Sequence, residues 1–252
     1  MSFNKRLITT AGLLLSLTTL NAEAVLTPYI AVDGSAVVYS SVSNVTWTQD
    51  ANLFKTMYDA DNSLISQIAS VRPSYNDPFF GLQTIGADDF NTGNGQLTWW
   101  GGLAFTNYLN SINYGGSSQW ALPSADYNQT SGLLGQLYYN ELNALGHHET
   151  NGSDFGILGD GSFGTSGNAG PFTNAQTSAY WLATEDAYDP RYAWLFYTDG
   201  GLQLAISKDR QFYAWPVSPG QVAAVPVPGA MWLLGSGLLG LLSFTRMKKQ
   251  KS

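Results

Sequence analysis

Apolar residues recur at helical spacing in three stretches of the chain's first half. Trp47, Ala51, Phe54 and Tyr58 are separated by four, three and four positions, and Thr46 stands where an N-cap hydroxyl belongs. Leu64, Ile65 and Ile68 continue or follow that stripe. A second helix is predicted from Thr98, with Trp100, Leu103, Ala104, Asn107 and Tyr108 along one side. A third runs from about Ser131 through Leu134, Leu137, Tyr138, Glu141, Leu142 and Leu145, and Gly146 supplies its C′ residue.

The period then changes from helical to two. Tyr180-Trp181-Leu182 reads as a strand. Across Tyr192 to Thr198, Ala193, Leu195 and Tyr197 alternate with Tyr192, Trp194 and Phe196. Asp199-Gly200-Gly201 is a turn, Leu202 to Ser207 returns as the partner strand, and Phe212 to Val217 supplies another. Helices first and antiparallel strands afterwards predict an α+β fold rather than an alternating βαβ one. The aromatic residues at these periodic positions, Trp100, Trp181 and Trp194 among them, are expected in the core. The glycine-rich stretch from Asn151 to Gly170 follows a helix rather than a strand, which counts against a dinucleotide fingerprint.

Composition narrows the chemistry. Among the 252 residues there is no cysteine, which removes disulfides, thiol catalysis and Cys-ligated metals. The two histidines, His147 and His148, are adjacent, leaving little for a histidine-ligated metal or a Ser–His–Asp triad. Eight Trp, fourteen Tyr and twelve Phe provide a core and argue against disorder in the body. Between Val25 and Val225 five basic residues face seventeen acidic ones, a net charge of −12. So acidic a body repels phosphate backbones, and no nucleic-acid partner is expected.

The two ends carry signals. Residues 1–24 contain the basic pair Lys5-Arg6, an apolar stretch from Leu7 to Leu20 and an Ala22-Glu23-Ala24 cleavage site, the three parts of an export signal. An uncleaved anchor is the alternative. Residues 225–252 begin with Val225-Pro226-Val227-Pro228 and continue through a glycine-rich apolar run, Gly229 to Thr245. The basic residues Arg246, Lys248, Lys249 and Lys251 close the chain. As a helix the seventeen uncharged residues from Gly229 to Thr245 span about 26 Å, close to the minimum for crossing a bilayer. Basic residues after the span keep the tail cytoplasmic and the body outside. This order resembles the PEP-CTERM sorting signals, most nearly the VPLPA variant. The resemblance implies an exosortase-type membrane protease as partner and processing near Pro226 and Pro228; a plain anchor that is never cut is the alternative.

Residues 25–224 are the expected globular domain. Within it, Leu97-Thr98-Trp99-Trp100, Asn107-Tyr108-Leu109 and Trp120-Ala121-Leu122-Pro123-Ser124 occur in order. Tyr180-Trp181-Leu182-Ala183-Thr184, Tyr192-Ala193-Trp194-Leu195-Phe196 and Ala214-Trp215-Pro216-Val217-Ser218-Pro219-Gly220 follow, and Thr46-Trp47-Thr48-Gln49-Asp50-Ala51-Asn52 precedes them. Together these segments resemble the Lcl C-terminal-domain-like family over roughly residues 40–220. The resemblance implies a C-type-lectin-like domain, similar also to the sulfatase-modifying-factor fold. Ala121 and Ser218 stand where that family usually has Arg, so a ligand site needing those guanidinium groups is not expected to carry over. The catalytic cysteines of formylglycine-generating relatives have no counterpart.

Candidate binding chemistry is sparse. Glu185, Asp186 and Asp189 lie with Tyr188 and Arg191 on one inter-strand loop, an oxygen-rich arrangement that could take calcium or a sugar; a solvated loop with an Arg–Asp pair is the plainer reading. Asp154 and Asp160 lie in a glycine-rich loop without the repeat of a calcium turn. The pair Asp88-Asp89 lacks a specified partner carboxylate for glycoside hydrolysis. His147-His148-Glu149 reads as an exposed helix end. The expectation is an exported protein without catalysis or a required cofactor. It would be tethered at the inner membrane facing the periplasm, then moved to the cell surface or extracellular matrix, with a structural or adhesive role. A calcium-dependent carbohydrate-binding or carbohydrate-active protein acting on extracellular polysaccharide is the alternative.

Overall fold

A computed structural model describes residues 26–126, 128, 130–146 and 169–224. The export signal, His147-His148-Glu149, Asp154, Asp160 and the C-terminal sorting segment with its apolar run and basic tail lie outside the described residues.

The fold is mixed helix and antiparallel sheet, but it opens on strands. β1 (Leu26–Ile30), β2 (Ala36–Ser40) and β3 (Val45–Thr48) form an antiparallel meander, and β9 (Val217–Pro219) from the far end of the chain pairs with β3. The helical stripe expected from Trp47 is therefore corrected: Thr46 and Trp47 belong to β3, and α1 (Leu53–Ala60) starts later. The reason is local and tertiary together. Val45-Thr46-Trp47-Thr48 is rich in β-branched residues and lies between two partners that complete its ladder. α2 (Leu64–Val71) follows α1 as a separate helix, burying Leu64 and Ile68. A small hairpin, β4 (Ser74–Asp77) and β5 (Gly81–Thr84), comes next and has no counterpart in the sequence expectations.

α3 (Trp99–Ser111) begins where the sequence places it. Thr98 is its N-cap: its hydroxyl accepts the Gly101 amide at 3.1 Å and donates to Asp89 Oδ1 at 2.6 Å. The third expected helix is shorter than its apolar stripe. A single α-turn, α4 (Leu133–Gly135), runs into a π-helical turn over Gln136–Glu141. The stop is Asn143, in the left-handed region at φ 51°, rather than Gly146, and Leu145 beyond it is 47% exposed.

The last sheet, in the order β6 (Ala179–Glu185), β7 (Tyr192–Tyr197), β8 (Leu202–Ser207), contains the expected hairpin, with Tyr197 opposite Leu202. Gly201 closes its turn at φ 70° and sits against the Tyr138 and Tyr139 rings, where a side chain has no room. The expected strand from Phe212 to Val217 is broken. Phe212 and Tyr213 make isolated bridges to Leu97 and Tyr180, and only Val217 enters a strand, β9.

Period-two alternation divides the core in two. Ala179, Trp181, Ala193 and Leu195 face one cluster with Phe54, Trp99, Trp100, Phe105 and Trp120. Tyr180, Leu182 and Phe196 face the other, with Trp47, Tyr138, Phe172 and Trp215. In the first sheet Val37 and Val38 are divided in the same way. Trp100 and Trp181 are buried as expected, whereas Trp194 is only partly so and packs at the margin of the second cluster. Indole N–H groups tie irregular segments to these sheets: Trp181 donates to Leu97 O at 2.8 Å, Trp99 to Leu182 O at 2.9 Å and Trp215 to Thr48 O at 3.0 Å.

Candidate functional site

The buried charge of the described structure is gathered where β4, β6 and β8 end. Lys208 directly follows β8 and is 0% exposed. Its Nζ lies 2.8 Å from Asp77 Oδ2 and 3.1 Å from Glu185 Oε2, and 4.7 Å from the centre of the Trp99 ring. Three segments up to 131 positions apart thus meet on one amine.

Local structure aims each group. Asp77 is the last residue of β4, and its Oδ1 accepts the amides of Phe79 and Phe80, both at 2.9 Å, which closes the turn into β5. Glu185 ends β6 after a register irregularity between Trp181 and Glu185, and pairs with Ala193 on β7. The Lys208 amide donates to Arg191 O at 3.1 Å, while its carbonyl accepts Trp99 N at 3.0 Å, so the backbone is held from two sides. Burial alone would raise the Asp77 carboxyl. The Lys208 hydrogen bond and the amides of Phe80 and Phe79 outweigh it and hold the group below the usual carboxylate range. Glu185 is the solvent side of the centre, with its side chain 44% exposed.

Above this centre lies the Glu185–Arg191 loop. The three acids proposed as calcium ligands go to different partners. Glu185 turns in to Lys208. Asp186 accepts the Tyr188 amide at 2.8 Å. Asp189 takes Arg191 in a two-pronged pair, Nε to Oδ1 at 2.9 Å and Nη2 to Oδ2 at 2.5 Å, which holds the Asp189 carboxyl low. Among the described residues no three His, Asp or Glu groups gather as a metal set. The Arg191 guanidinium lies over Phe79 at 5.4 Å and Tyr192 at 5.3 Å. Phe79 is 57% exposed and Tyr188 98% exposed, so an aromatic and guanidinium surface faces solvent here.

Other sequence candidates have structural employment. Asp89 receives Thr98 and the Gly86 amide at 3.0 Å, building the approach to α3. Ser218, where an Arg was expected from the resemblance, is buried and shares a 2.7 Å hydrogen bond with Ser117. Glu141 is the less settled carboxylate. Its Oε2 is shielded without a hydrogen-bond partner, and burial raises its pKa despite bonds from Ser40 and Ser43. A cavity of about 420 Å³, which Glu141 does not line, is bounded by Thr130, Tyr139, Asn140, Asn143, Ala144 and Leu145, which offer hydrogen bonds but no acid–base pair.

Lys208 and Asp77 were not singled out from the sequence. Lys208 lies one residue past β8, on whose alternation Leu204 is 47% exposed, so the strand's pattern gives no signal of its burial. Asp77 carries none either, because Ser74–Asp77 and Gly81–Thr84 lack the apolar alternation that marks a hairpin. Compared with protein-family models, curated proteins and solved structures, the chain matches none.

Proposed function

We propose that this chain is an exported, non-catalytic protein of the cell surface or extracellular matrix, with an adhesive role exercised through the surface of Phe79, Tyr188, Arg191 and Tyr192. The observation that carries the reading is the exposure of this patch together with its rigid base. Aromatic rings and a guanidinium in solvent are suited to stacking on sugar faces and bonding to hydroxyl or carboxylate groups. The Asp189–Arg191 pair holds the guanidinium over Phe79 and Tyr192, which lowers the ordering cost of binding at those three residues, while the Tyr188 ring stands free in solvent. The partner class is a neutral extracellular polysaccharide, since a body of net charge −12 repels an acidic one as it repels phosphate backbones.

The reading keeps the C-type-lectin-like fold and the Lcl C-terminal-domain-like membership as expectations from sequence. Mixed helix and antiparallel sheet in the described body is compatible with both. It keeps also the route: export by residues 1–24, tethering at the inner membrane by residues 225–252, and transfer by an exosortase-type protease. Calcium-dependent sugar binding remains the second reading, favoured by the carboxylates of the same loop. A calcium ion there would have to take Asp189 from Arg191.

Binding of the protein to extracellular polysaccharide from its host, measured with calcium and with chelator, tests both. Calcium-independent binding that falls when Tyr188 and Phe79 are replaced by Ala supports the adhesive patch. Loss on chelation moves the site to the second reading. Binding unaffected by both replacements would refute the patch. Mass spectrometry of the surface form tests the route, since a C-terminal peptide ending at Ser252 would show a simple anchor.

A further inference from the structure

We propose that Lys208 and Asp77 form an intramolecular amide bond, with Glu185 as the proton carrier. The proposal concerns a covalent modification within the fold and stands independently of what the surface patch binds.

Three features of the centre point to reaction rather than to a simple ion pair. The first is proximity. An ammonium fully removed from solvent lies 2.8 Å from a carboxylate whose side chain is 1% exposed. Reacting groups that a fold holds in productive orientation reach effective concentrations of up to about 10⁵–10⁸ M. The second is the disposition of the Asp77 oxygens. Oδ2 faces the amine, while Oδ1 holds two backbone amides at 2.9 Å. Those amides sit where a tetrahedral intermediate would place its negative oxygen, as donors of an oxyanion hole do. The third is Glu185, a second carboxylate 3.1 Å from the same nitrogen and open to solvent on its far side. A pair needs only one carboxylate; a condensation needs another to move protons.

The step balances without an outside reagent. The Lys208 ammonium passes a proton to Asp77 Oδ2, leaving a neutral amine and a carboxylic acid. Nζ attacks Cγ, and Oδ1 takes the negative charge against the Phe79 and Phe80 amides. Glu185 removes a proton from the new N–C centre and delivers it to Oδ2, which departs as water while Oδ1 re-forms the carbonyl. One ammonium and one carboxylate become one amide and one water, and Glu185 is restored. Two charges leave a dry interior, where ion pairs are costly to keep. The water exits on the Glu185 side. The Trp99 ring, its centre 4.7 Å from Nζ, packs against the amine.

The resting centre is the ion pair, because the Asp77 carboxyl is held low. The reactive neutral pair is a minor form, so the bond accumulates slowly after folding.

The test is peptide mass spectrometry of the full chain, digested after the folded protein has aged for days at growth temperature. The expected product is a branched peptide joining the Asp77 and Lys208 segments with the loss of one water. Glu185→Gln, a replacement at a half-exposed side chain, should slow its appearance by about tenfold or more while circular dichroism stays that of the parent. Recovery of the two segments only as separate peptides from folded, aged protein would overturn the proposal. Equal bond formation in Glu185→Gln would overturn the role given to Glu185. A branched peptide in Lys208→Arg, whose guanidinium cannot complete this step, would show that the assigned nitrogen is wrong.

Discussion

Replacing Trp215 by Ala tests the claim that the far end of the chain closes the second core cluster. Trp215 is fully buried. Its ring lies 5.5 Å from Trp47, 4.8 Å from Phe172 and 5.3 Å from Tyr180, and its indole N–H bonds to Thr48 O at 3.0 Å. One side chain thus joins β3 to β6 and to the segment before β6. Truncation of a buried Trp costs about 3–5 kcal/mol in transfer and cavity terms. Losing the bond to the Thr48 carbonyl adds about 1 kcal/mol. The sum is a large part of the ~5–15 kcal/mol by which a domain is stable. At roughly 2–4 °C per kcal/mol for a domain of this size, Tm should fall by about 10–20 °C. Trp194→Ala is the internal control. That ring is partly exposed at the edge of the same cluster, so its loss should cost about 1–2 kcal/mol. Thermal unfolding followed by near-UV circular dichroism reads both. If the two variants shift Tm equally, Trp215 is not the closing residue and the division of the aromatic core is wrong. Trp215→Phe should fall between them, since it keeps a ring and loses the indole bond.

Two further outcomes follow from the carboxylates and from the hairpin turn. Because the folded pKa of Asp77 lies below its unfolded value, its stabilising contribution is complete above the ordinary carboxylate pKa and disappears as pH falls through its own lower one; Glu141 has the opposite sign, its raised pKa favouring the fold at low pH and losing that benefit as pH rises. Glu141→Gln should therefore raise Tm at pH 7 by an amount that shrinks towards pH 4, and an advantage constant across that range would refute the assignment. Gly201→Ala combines a left-handed backbone with an added carbon 2.8 Å from Tyr138 Cε1 and from Tyr139 Cζ. It should cost about 1–3 kcal/mol in urea unfolding, and a neutral result would mean that the β7–β8 turn is not held by those rings.

Several local features were legible because short-range chemistry decides them. The α3 start needs only a hydroxyl at Thr98 before an apolar stripe, and the β7–β8 hairpin only alternation on both sides of Gly200-Gly201. The helical reading of Trp47, Ala51, Phe54 and Tyr58 failed because their burial has two destinations. Trp47 and Ala51 enter one cluster and Phe54 the other, so their spacing is not one helical stripe. The π-turn and early stop at Asn143 were hidden for a related reason. Leu145 has the right spacing to be buried, but the backbone turns away before reaching it.

Sequence by itself determined the absence of thiol chemistry, the acidity of the body, the presence of both helix and antiparallel strand, and the aromatic supply for the core. These depend on residue counts and on neighbours within a few positions. The order of helices before strands it did not determine, since the chain opens on β1, β2 and β3. Tertiary structure alone decided that β9 returns to β3, and that Lys208 is buried between Asp77 and Glu185 rather than solvated beside Asp209 and Arg210. A lysine's environment depends on what packs over it from distant segments. Here that cover is a hairpin 131 positions earlier, held in place by its own Asp77 turn.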